Sequence, residues 1–416
     1  MSSPIRDFRH AGDLASGPVE VGEGSLRNEA RAAAHDFSLV LGGPVYDFLQ
    51  RIGLVRLGLP NILRRIIAVT AITWVPLLLL SIKDGLVIGN GVEIPLLLDY
   101  SAYGRLLLGL PLLLLAEVVI DPAIRSAVKE FVDAKLVQAK ELPEFERVLH
   151  RAQKLRDSVI PELVLLLLAF FPVFLFRHEW QAGAVSSWHS TAKGLSAAGW
   201  WYAAVSAPFI RFFLYRWAFR YFVWTLLLWK LSRTPLHLIP THPDRAAGLG
   251  FLSITQARFG ILFCALGCSF AGHIANSVTH EGASLASFKI LIGAFAALCV
   301  IVGVCPLVLW APKMARVRRT GLREYSALGN QYTEEFDRKW VHFSEAPPEP
   351  LLGSGDIQSL ADLGNSYQLI EEMSIAPIKK GLVIRLAVFA AAPLIPVIVA
   401  VTPTSQIVNA ILKMVA

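Results

Sequence analysis

Residues 200–252, WWYAAVSAPFIRFFLYRWAFRYFVWTLLLWKLSRTPLHLIPTHPDRAAGLGFL, decide the class of fold. This stretch joins a long apolar and aromatic run, which contains Arg211, Arg216 and Arg220, to a tight polar loop. An apolar run of about 20 residues predicts a helix that spans a membrane. An arginine inside such a helix costs roughly 2.5–3.5 kcal/mol on insertion scales. We therefore expect a membrane-spanning helix whose arginines have either a partner or a task.

The composition of the whole chain agrees with a membrane protein. Of its 416 residues 54% are hydrophobic and only 17% are charged, whereas soluble domains contain about 25% charged residues. The net charge of +7 lies mostly beside apolar runs, where the positive-inside rule accounts for it. We expect membrane lipids as partners and no nucleic acid. The cysteines lack metal-binding spacing, so we expect no metal and no cofactor; they are Cys264, Cys268, Cys299 and Cys305.

Apolar runs predict an all-α fold, a polytopic transmembrane helical bundle of about seven spans. The basic segments between the runs place the N-terminus in the cytoplasm and the C-terminus outside. Consistently, the predicted outer loops 87–104 and 279–287 contain no lysine or arginine. The predicted spans are residues 66–86, 106–120, 159–176, 209–231, 255–278, 288–310 and 382–401.

The segments outside the spans predict a tail and several amphipathic helices. Residues 1–35 have the composition of a disordered cytoplasmic tail, and 36–65 have that of an amphipathic helix in the membrane interface. Basic cytoplasmic segments, such as 313–323, suit anionic lipid headgroups. The remaining organisation is a six-helix region 66–311 with a cytoplasmic helical insert 121–157, a cytoplasmic helical segment 312–380, and a seventh helix with an external amphipathic tail over 381–416.

The arginines of the fourth span allow two interpretations. Arg216 and Arg220 are four residues apart and share a helix face, whereas Arg211 lies on the opposite side from Arg220 and suits the outer interface. Arg216 and Arg220 either line a path for an anion or form structural ion pairs with acidic residues of neighbouring spans. The acidic candidates are Glu117 in the second span and Glu162 at the start of the third.

Two other groups of residues have the chemistry of a site. His242, Asp244 and Arg245 lie in a glycine-containing loop before the fifth span, where backbone N–H groups at a helix start bind an anion or a lipid headgroup. The alternative is that Asp244 only caps that helix. His273 lies within the fifth span among small polar residues. This pattern is compatible with a proton or ion site near the outside or with hydrogen bonding to a neighbouring helix.

Several runs of this chain resemble a family of bacterial polytopic inner-membrane proteins. The most distinctive are HPDRAAGLGFL and DIQSLADLGNSY, and others are AITWVPLLLLSI and FIRFFLYRWAFRYFVW. The resemblance extends from the first span to the approach to the last. It implies a multi-pass protein of the bacterial inner membrane. The family has no activity attached to it, so the resemblance implies no catalytic or binding residue.

Three classes of function remain from the sequence. The first, which we favour, is a channel or transporter for a small anion, with Arg216 and Arg220 lining the path and His273 nearer the outside. The second is a membrane scaffold or sensor that binds a cytoplasmic protein partner through residues 121–157 and 313–373. The third is an enzyme acting on lipid or an anionic metabolite through His242, Asp244 and Arg245, although the hydrolase motifs HExxH and GxSxG are absent. A homo-oligomer around a shared axis is compatible with each class.

Overall fold

The structure, a computed structural model, describes residues 19–51, 62–88, 92–175, 186–191, 194–342, 350 and 353–401. Helices dominate this part of the chain. They are α1 (Val19–Asp36), α2 (Pro44–Arg51), α3 (Ile62–Lys83), α4 (Tyr100–Asp133), α5 (Leu142–Arg156), α6 (Val159–Leu175), α7 (Ala207–Arg233), α8 (Gly250–His280), α9 (Leu285–Val308), α10 (Ala311–Phe336), α11 (Gly355–Glu371) and α12 (Lys380–Ala400).

Five of these helices are long and apolar enough to cross a membrane, namely α3, α4, α8, α9 and α12. The expected class of fold, a helical membrane protein, is therefore confirmed at this level. The third and fourth predicted spans coincide with α6 and α7. α6 has 17 described residues, and the three arginines of α7 lower its hydropathy. The total of seven spans stays a prediction.

The bundle has two distinct ends. At one end, strand β1 (Ser190–Thr191) pairs antiparallel with β2 (Gly194–Leu195), beside the turns that follow α3 and precede α4. We call this the hairpin end. The opposite end carries α1, α5 and the α10–α11 pair, and we call it the insert end. Because the chain crosses between these ends repeatedly, residues far apart in sequence meet at each level of the bundle.

The N-terminal region differs from its sequence-based expectation. Residues 19–36 form helix α1 rather than a disordered tail, and Ala30 and Ala34 are fully buried against α4 and α5. Two alanines four residues apart give a helix a narrow flat face, which composition does not reveal. Residues 37–43 then run irregularly and are largely buried beneath the bundle, so helix α2 starts only at Pro44. The place of this segment in the membrane interface stays a prediction. Residues 1–18 and 52–61 of these two predicted segments lie outside the described residues.

The helix that contains the second predicted span is longer than that span. α4 continues without interruption past residue 120 to Asp133, because Ile124, Val128 and Phe131 extend its buried face. The predicted insert 121–157 is therefore the last three turns of α4 followed by a separate helix, α5. The predicted external amphipathic tail, residues 405–416, lies outside the described residues.

Helices α4 and α8 approach closely through glycine. A Cβ atom on Gly272 would lie 2.5 Å from the carbonyl oxygen of Tyr100 and 2.9 Å from the Cα atom of Ser101. Small residues at helix contacts are typical of membrane bundles, in which van der Waals packing rather than the hydrophobic effect holds helices together. This contact fixes the position of the first turns of α4.

We expect Gly272→Ala to lower the free energy of unfolding by about 1–3 kcal/mol, because the added methyl group has no space. The measurement is unfolding of the detergent-purified protein by sodium dodecyl sulfate. The matched control is Gly293→Ala in α9, where a Cβ atom meets nothing within 4 Å. Equal stabilities of the two variants would show that the α4–α8 contact is not tight.

Candidate functional site

The centre of the bundle holds a carboxylate surrounded by arginines. Glu117 of α4 forms an ion pair with Arg65 of α3 at 2.7 Å and with Arg220 of α7 at 2.9 Å. Arg216 lies 4.0 Å from the same carboxylate and 3.1 Å from Glu162 of α6. The five side chains are each at most 8% exposed. Three guanidinium groups thus face two carboxylates, which leaves one positive charge in excess.

This buried charge network lies near the start of two helices rather than at their middle. Arg65 and Glu162 are each the fourth residue of their helix, α3 and α6. Arg220 also lies over the ring of Trp217, with its guanidinium carbon 5.1 Å from the ring centroid. The network therefore ties α3, α4, α6 and α7 together at one level on the insert side of the bundle.

The irregular segment 37–43 covers the network from the insert end. Asp121, one turn beyond Glu117 on α4, accepts hydrogen bonds from the Ser38 hydroxyl at 2.6 Å and the Leu39 N–H at 3.0 Å. The carbonyl oxygen of Val40 accepts a hydrogen bond of 3.4 Å from Arg220. The segment turns at Gly42 with φ +127°, a backbone conformation that residues other than glycine rarely adopt. It thereby closes the network off from the water at the insert end.

A cavity of about 220 Å³ lies on the hairpin side of the network, among α4, α7 and α8. Two arginines line it. Arg105 donates hydrogen bonds to the hydroxyl groups of Tyr202 and Ser101, and Arg211 donates one of 3.3 Å to the carbonyl oxygen of Ala169. Among the described residues, neither guanidinium forms an ion pair with a carboxylate. The other lining residues are Gly109, Leu113, Ala207, Ile210, Leu214, Ala265, Leu266 and Ser269.

Two of the elements that bring polar groups to this cavity are π-helical. Residues Tyr103–Gly109 of α4 and Tyr202–Ser206, which lead into α7, have the wider π-helical turn. Arg105 belongs to the first segment and Tyr202 to the second, and they share a hydrogen bond of 2.9 Å. π-helical turns are rare and frequently mark functional sites. We call this space the two-arginine cavity.

One layer of side chains separates the two-arginine cavity from the buried charge network. Leu113 lines the cavity and stands one helical turn before Glu117. The Leu113 carbonyl oxygen accepts a hydrogen bond of 2.7 Å from the indole of Trp217, which is buried beside Arg216 and Arg220. From the hairpin half toward the insert end, the arginines of the cavity are therefore followed by Arg216 and Arg220 of the network. Trp217 lies between the two groups.

The loop before α8 is organised by its own aspartate. Asp244 accepts hydrogen bonds from the N–H groups of Ala246 at 2.8 Å, Gly248 at 3.1 Å and Gly250 at 2.8 Å. His242 contacts the same carboxylate at 2.8 Å, and Arg245 forms an ion pair with Glu372. An incoming phosphate would meet N–H groups that a carboxylate already occupies. The Asp244 carboxylate thereby ties the loop to Gly250, the first residue of α8.

His273 lies apart from the arginines. It is exposed on the outside of the bundle, in the hairpin half of α8. Its neighbour Asn276 instead faces inward and donates a hydrogen bond of 2.7 Å to Asp99. The structure thus places the predicted site residues in two separate groups. The first consists of Arg216, Arg220, Glu117 and Glu162, and the second of His242, Asp244 and Arg245.

Sequence reasoning missed two arginines of these sites. Arg65 looks like an ordinary basic residue at the start of a span, and Arg105 like one at the end of a span. Hydropathy supports both interpretations, and only the packing of α3 and α4 shows that both side chains turn inward. In the described part of the chain, no group of three His, Cys, Asp or Glu side chains is placed to hold a metal ion.

The chain matches no protein-family model, no curated protein and no solved structure. The fold is that of a helical integral membrane protein.

We expect Glu117→Gln to destabilise the protein by about 3–5 kcal/mol, because three buried guanidinium groups would then face one carboxylate. Arg65→Met should cost less, since two guanidinium groups would still face two carboxylates. The measurement is the free energy of unfolding in detergent, with Glu281→Gln at an exposed position as the control. A larger loss for Arg65→Met than for Glu117→Gln would contradict this charge balance.

We expect the stability contributed by Asp244 to depend on pH. Burial raises the pKa of Asp244, but the three backbone N–H groups and His242 outweigh burial and hold the pKa below its ordinary value. A lowered pKa stabilises the fold above the unfolded-state pKa of about 3.9, and this stabilisation disappears as the pH falls through the lower, folded-state pKa.

The test compares Asp244→Asn with the wild type between pH 7 and pH 3. At pH 7 the variant should be less stable by about 1–3 kcal/mol, as for an N–H group that loses its charged acceptor. The difference should shrink below about pH 4. Asp362→Asn, on the exposed face of α11, should show no such trend, and a gap that stays constant down to pH 3 would count against the role of Asp244.

Proposed function

We propose that this integral membrane protein transports a small organic anion. The two-arginine cavity is the binding site, and the buried charge network together with Trp217 forms the barrier that closes the route. By the predicted topology, the hairpin end faces outward and the insert end faces the cytoplasm. The structure then corresponds to a state closed toward the cytoplasm.

One observation carries this proposal: two guanidinium groups line one cavity and form no ion pair with a described carboxylate. A charge in an apolar setting is costly unless it is paired. A bound anion would supply the missing negative charge and accept hydrogen bonds from the remaining N–H groups of Arg105 and Arg211. Guanidinium is well suited to this because its planar donors match carboxylate, sulfonate or phosphate oxygens.

The cavity lining restricts the class of anion. Leu113, Ile210, Leu214 and Leu266 give it an apolar wall opposite the arginines. Its volume of about 220 Å³ is below the range of roughly 300–1,000 Å³ that suits drug-sized ligands. A small anion with an apolar body fits both the size and the lining better than a bare halide ion does.

The closed route favours a transporter over an open channel. Beyond the cavity, Trp217 bonds to Leu113, and Arg216 and Arg220 are held by Glu117 and Glu162. A passing anion would compete with these carboxylates for the arginines, and the excess positive charge of the network favours its arrival. Passage therefore requires a rearrangement at each turnover, as in alternating access.

A different observation favours a second role, binding of a cytoplasmic protein. The α10–α11 pair extends from the insert end with most of its surface exposed, and few of its residues, such as Met314, Gly321 and Ile370, are buried. Ile357 and Tyr367 are large hydrophobic residues on this exposed surface. A scaffold of this kind would show no anion flux in a folded, reconstituted protein.

We expect proteoliposomes containing the wild-type chain to take up radiolabelled benzenesulfonate, which stays charged and so crosses lipid poorly. Arg211→Gln and Arg105→Gln should each lower uptake about tenfold or more, as expected when a charged hydrogen bond worth roughly 1.5–3 kcal/mol is lost. Arg64→Gln, at an exposed position beside the network residue Arg65, is the matched control.

Folding of each variant is checked by size-exclusion chromatography in detergent before reconstitution. Absence of uptake by folded wild-type protein, or equal uptake by the Arg211→Gln variant and the control, would overturn the transport proposal. A chloride flux of the same size as the benzenesulfonate flux would contradict the organic-anion preference.

A further inference from the structure

A second basic cavity lies at the insert end, away from the two-arginine cavity. It has a volume of about 560 Å³ and is bounded by the end of α7, the end of α9 and the first turns of α10. Its charged and aromatic lining residues are Trp229, Arg233, Lys313 and Arg316. By the predicted topology this cavity lies at the cytoplasmic surface of the membrane.

Among the described residues, the charged side chains that line this cavity are all positive. Lys230 and Arg233 lie over the ring of Trp229, at 4.7 Å and 5.3 Å from its centroid. With Lys313 and Arg316 they make four cationic side chains, and none of them forms an ion pair with a carboxylate in the described part of the chain. A cluster of this composition attracts a phosphate group, and Trp229 is the residue type that membrane interfaces favour.

Lys313 lies deepest in this cluster. Its ammonium group donates a hydrogen bond to the carbonyl oxygen of Thr234, and burial lowers the pKa of Lys313 to about 8. An ammonium group has three donors, so two further donors remain for oxygen acceptors in the cavity. A phosphate there would offset the desolvation that burial imposes on Lys313.

Apolar surface continues from the cavity along the membrane-facing side of the bundle. Phe222 precedes Trp229 by seven residues, and Ile301 precedes Val308 by seven, so each pair shares one face of its helix. These residues are strongly exposed: Phe222 is 56% exposed and Ile301 is 62% exposed. Two apolar stripes, on α7 and α9, therefore lead from the basic cavity toward the middle of the bilayer.

We propose that this cavity is a binding site for the headgroup of an anionic phospholipid whose acyl chains lie along the α7 and α9 stripes. The four cations would bind the phosphate diester of the lipid, and the exposed apolar stripes would contact its acyl chains. A free phosphate ion would use the cations but not the stripes. This site is separate from the proposed transport route, so lipid binding here does not depend on anion transport.

The experiment uses the full chain, delipidated in detergent, and measures lipid binding by native mass spectrometry. Phosphatidylglycerol should bind at least tenfold more tightly than zwitterionic phosphatidylcholine. The variant Arg233→Gln/Lys313→Gln should lose this preference. The matched control, Arg319→Gln/Arg323→Gln, removes two exposed cations from the same helix α10 outside the cavity and should keep it.

Each remaining outcome decides the proposal. Equal affinity for the two lipids, or an unchanged preference in the Arg233→Gln/Lys313→Gln variant, would overturn it. Displacement of phosphatidylglycerol by millimolar inorganic phosphate would assign the cavity to free phosphate instead. If the double variant fails to fold, Arg316→Gln alters only an exposed side chain, and a several-fold weaker binding of phosphatidylglycerol by that variant would support the lipid site.

Discussion

The ion pairing of Glu117 is the interaction on which the rest of the structure depends. This one carboxylate contacts arginines of α3 and α7, and through Arg216 it is linked to Glu162 of α6. Buried ion pairs contribute little net stability compared with an apolar core, but breaking one is very unfavourable. The network therefore acts mainly as a selector: helices that pack in another register would leave buried charges unsatisfied.

The neighbouring residues enclose this network on two sides. Asp121 positions the segment that covers it from the insert end, and Trp217 separates it from the two-arginine cavity. The cavity in turn depends on the two π-helical segments that direct Arg105 and Tyr202 inward. A sealed charge network and a cavity with excess positive charge are thus neighbours within the same group of helices. In the proposed transport cycle, this proximity places the barrier directly beside the binding site.

Much of the architecture could be predicted because hydropathy records contact with lipid. The five helices that are long and apolar enough to cross a membrane coincide with predicted spans, and the sequence offers Glu117 and Glu162 as acidic partners for Arg216 and Arg220. The burial of α1 could not be predicted, because a polar helix that packs through Ala30 and Ala34 has the composition of a disordered tail. The two-arginine cavity could not be predicted either. Helical periodicity places Arg211 opposite Arg220, and nothing in the sequence indicates the π-helical turns that reorient Arg105.

The order of the network residues along the chain bears on how the protein enters a membrane during synthesis. The charges emerge as Arg65, Glu117, Glu162, Arg216 and Arg220, so the running total alternates about neutrality and never exceeds one unit of either sign. Arg65 precedes Glu117 by 52 residues, whereas Arg220 follows it by 103. Glu117 therefore has a neutralising partner as soon as α4 is made. Glu162 of α6 then adds one negative charge, which Arg216 of α7 neutralises, and Arg220 leaves the final excess of one positive charge. A nascent bundle of this protein never has to hold more than one uncompensated charge of the network within the bilayer.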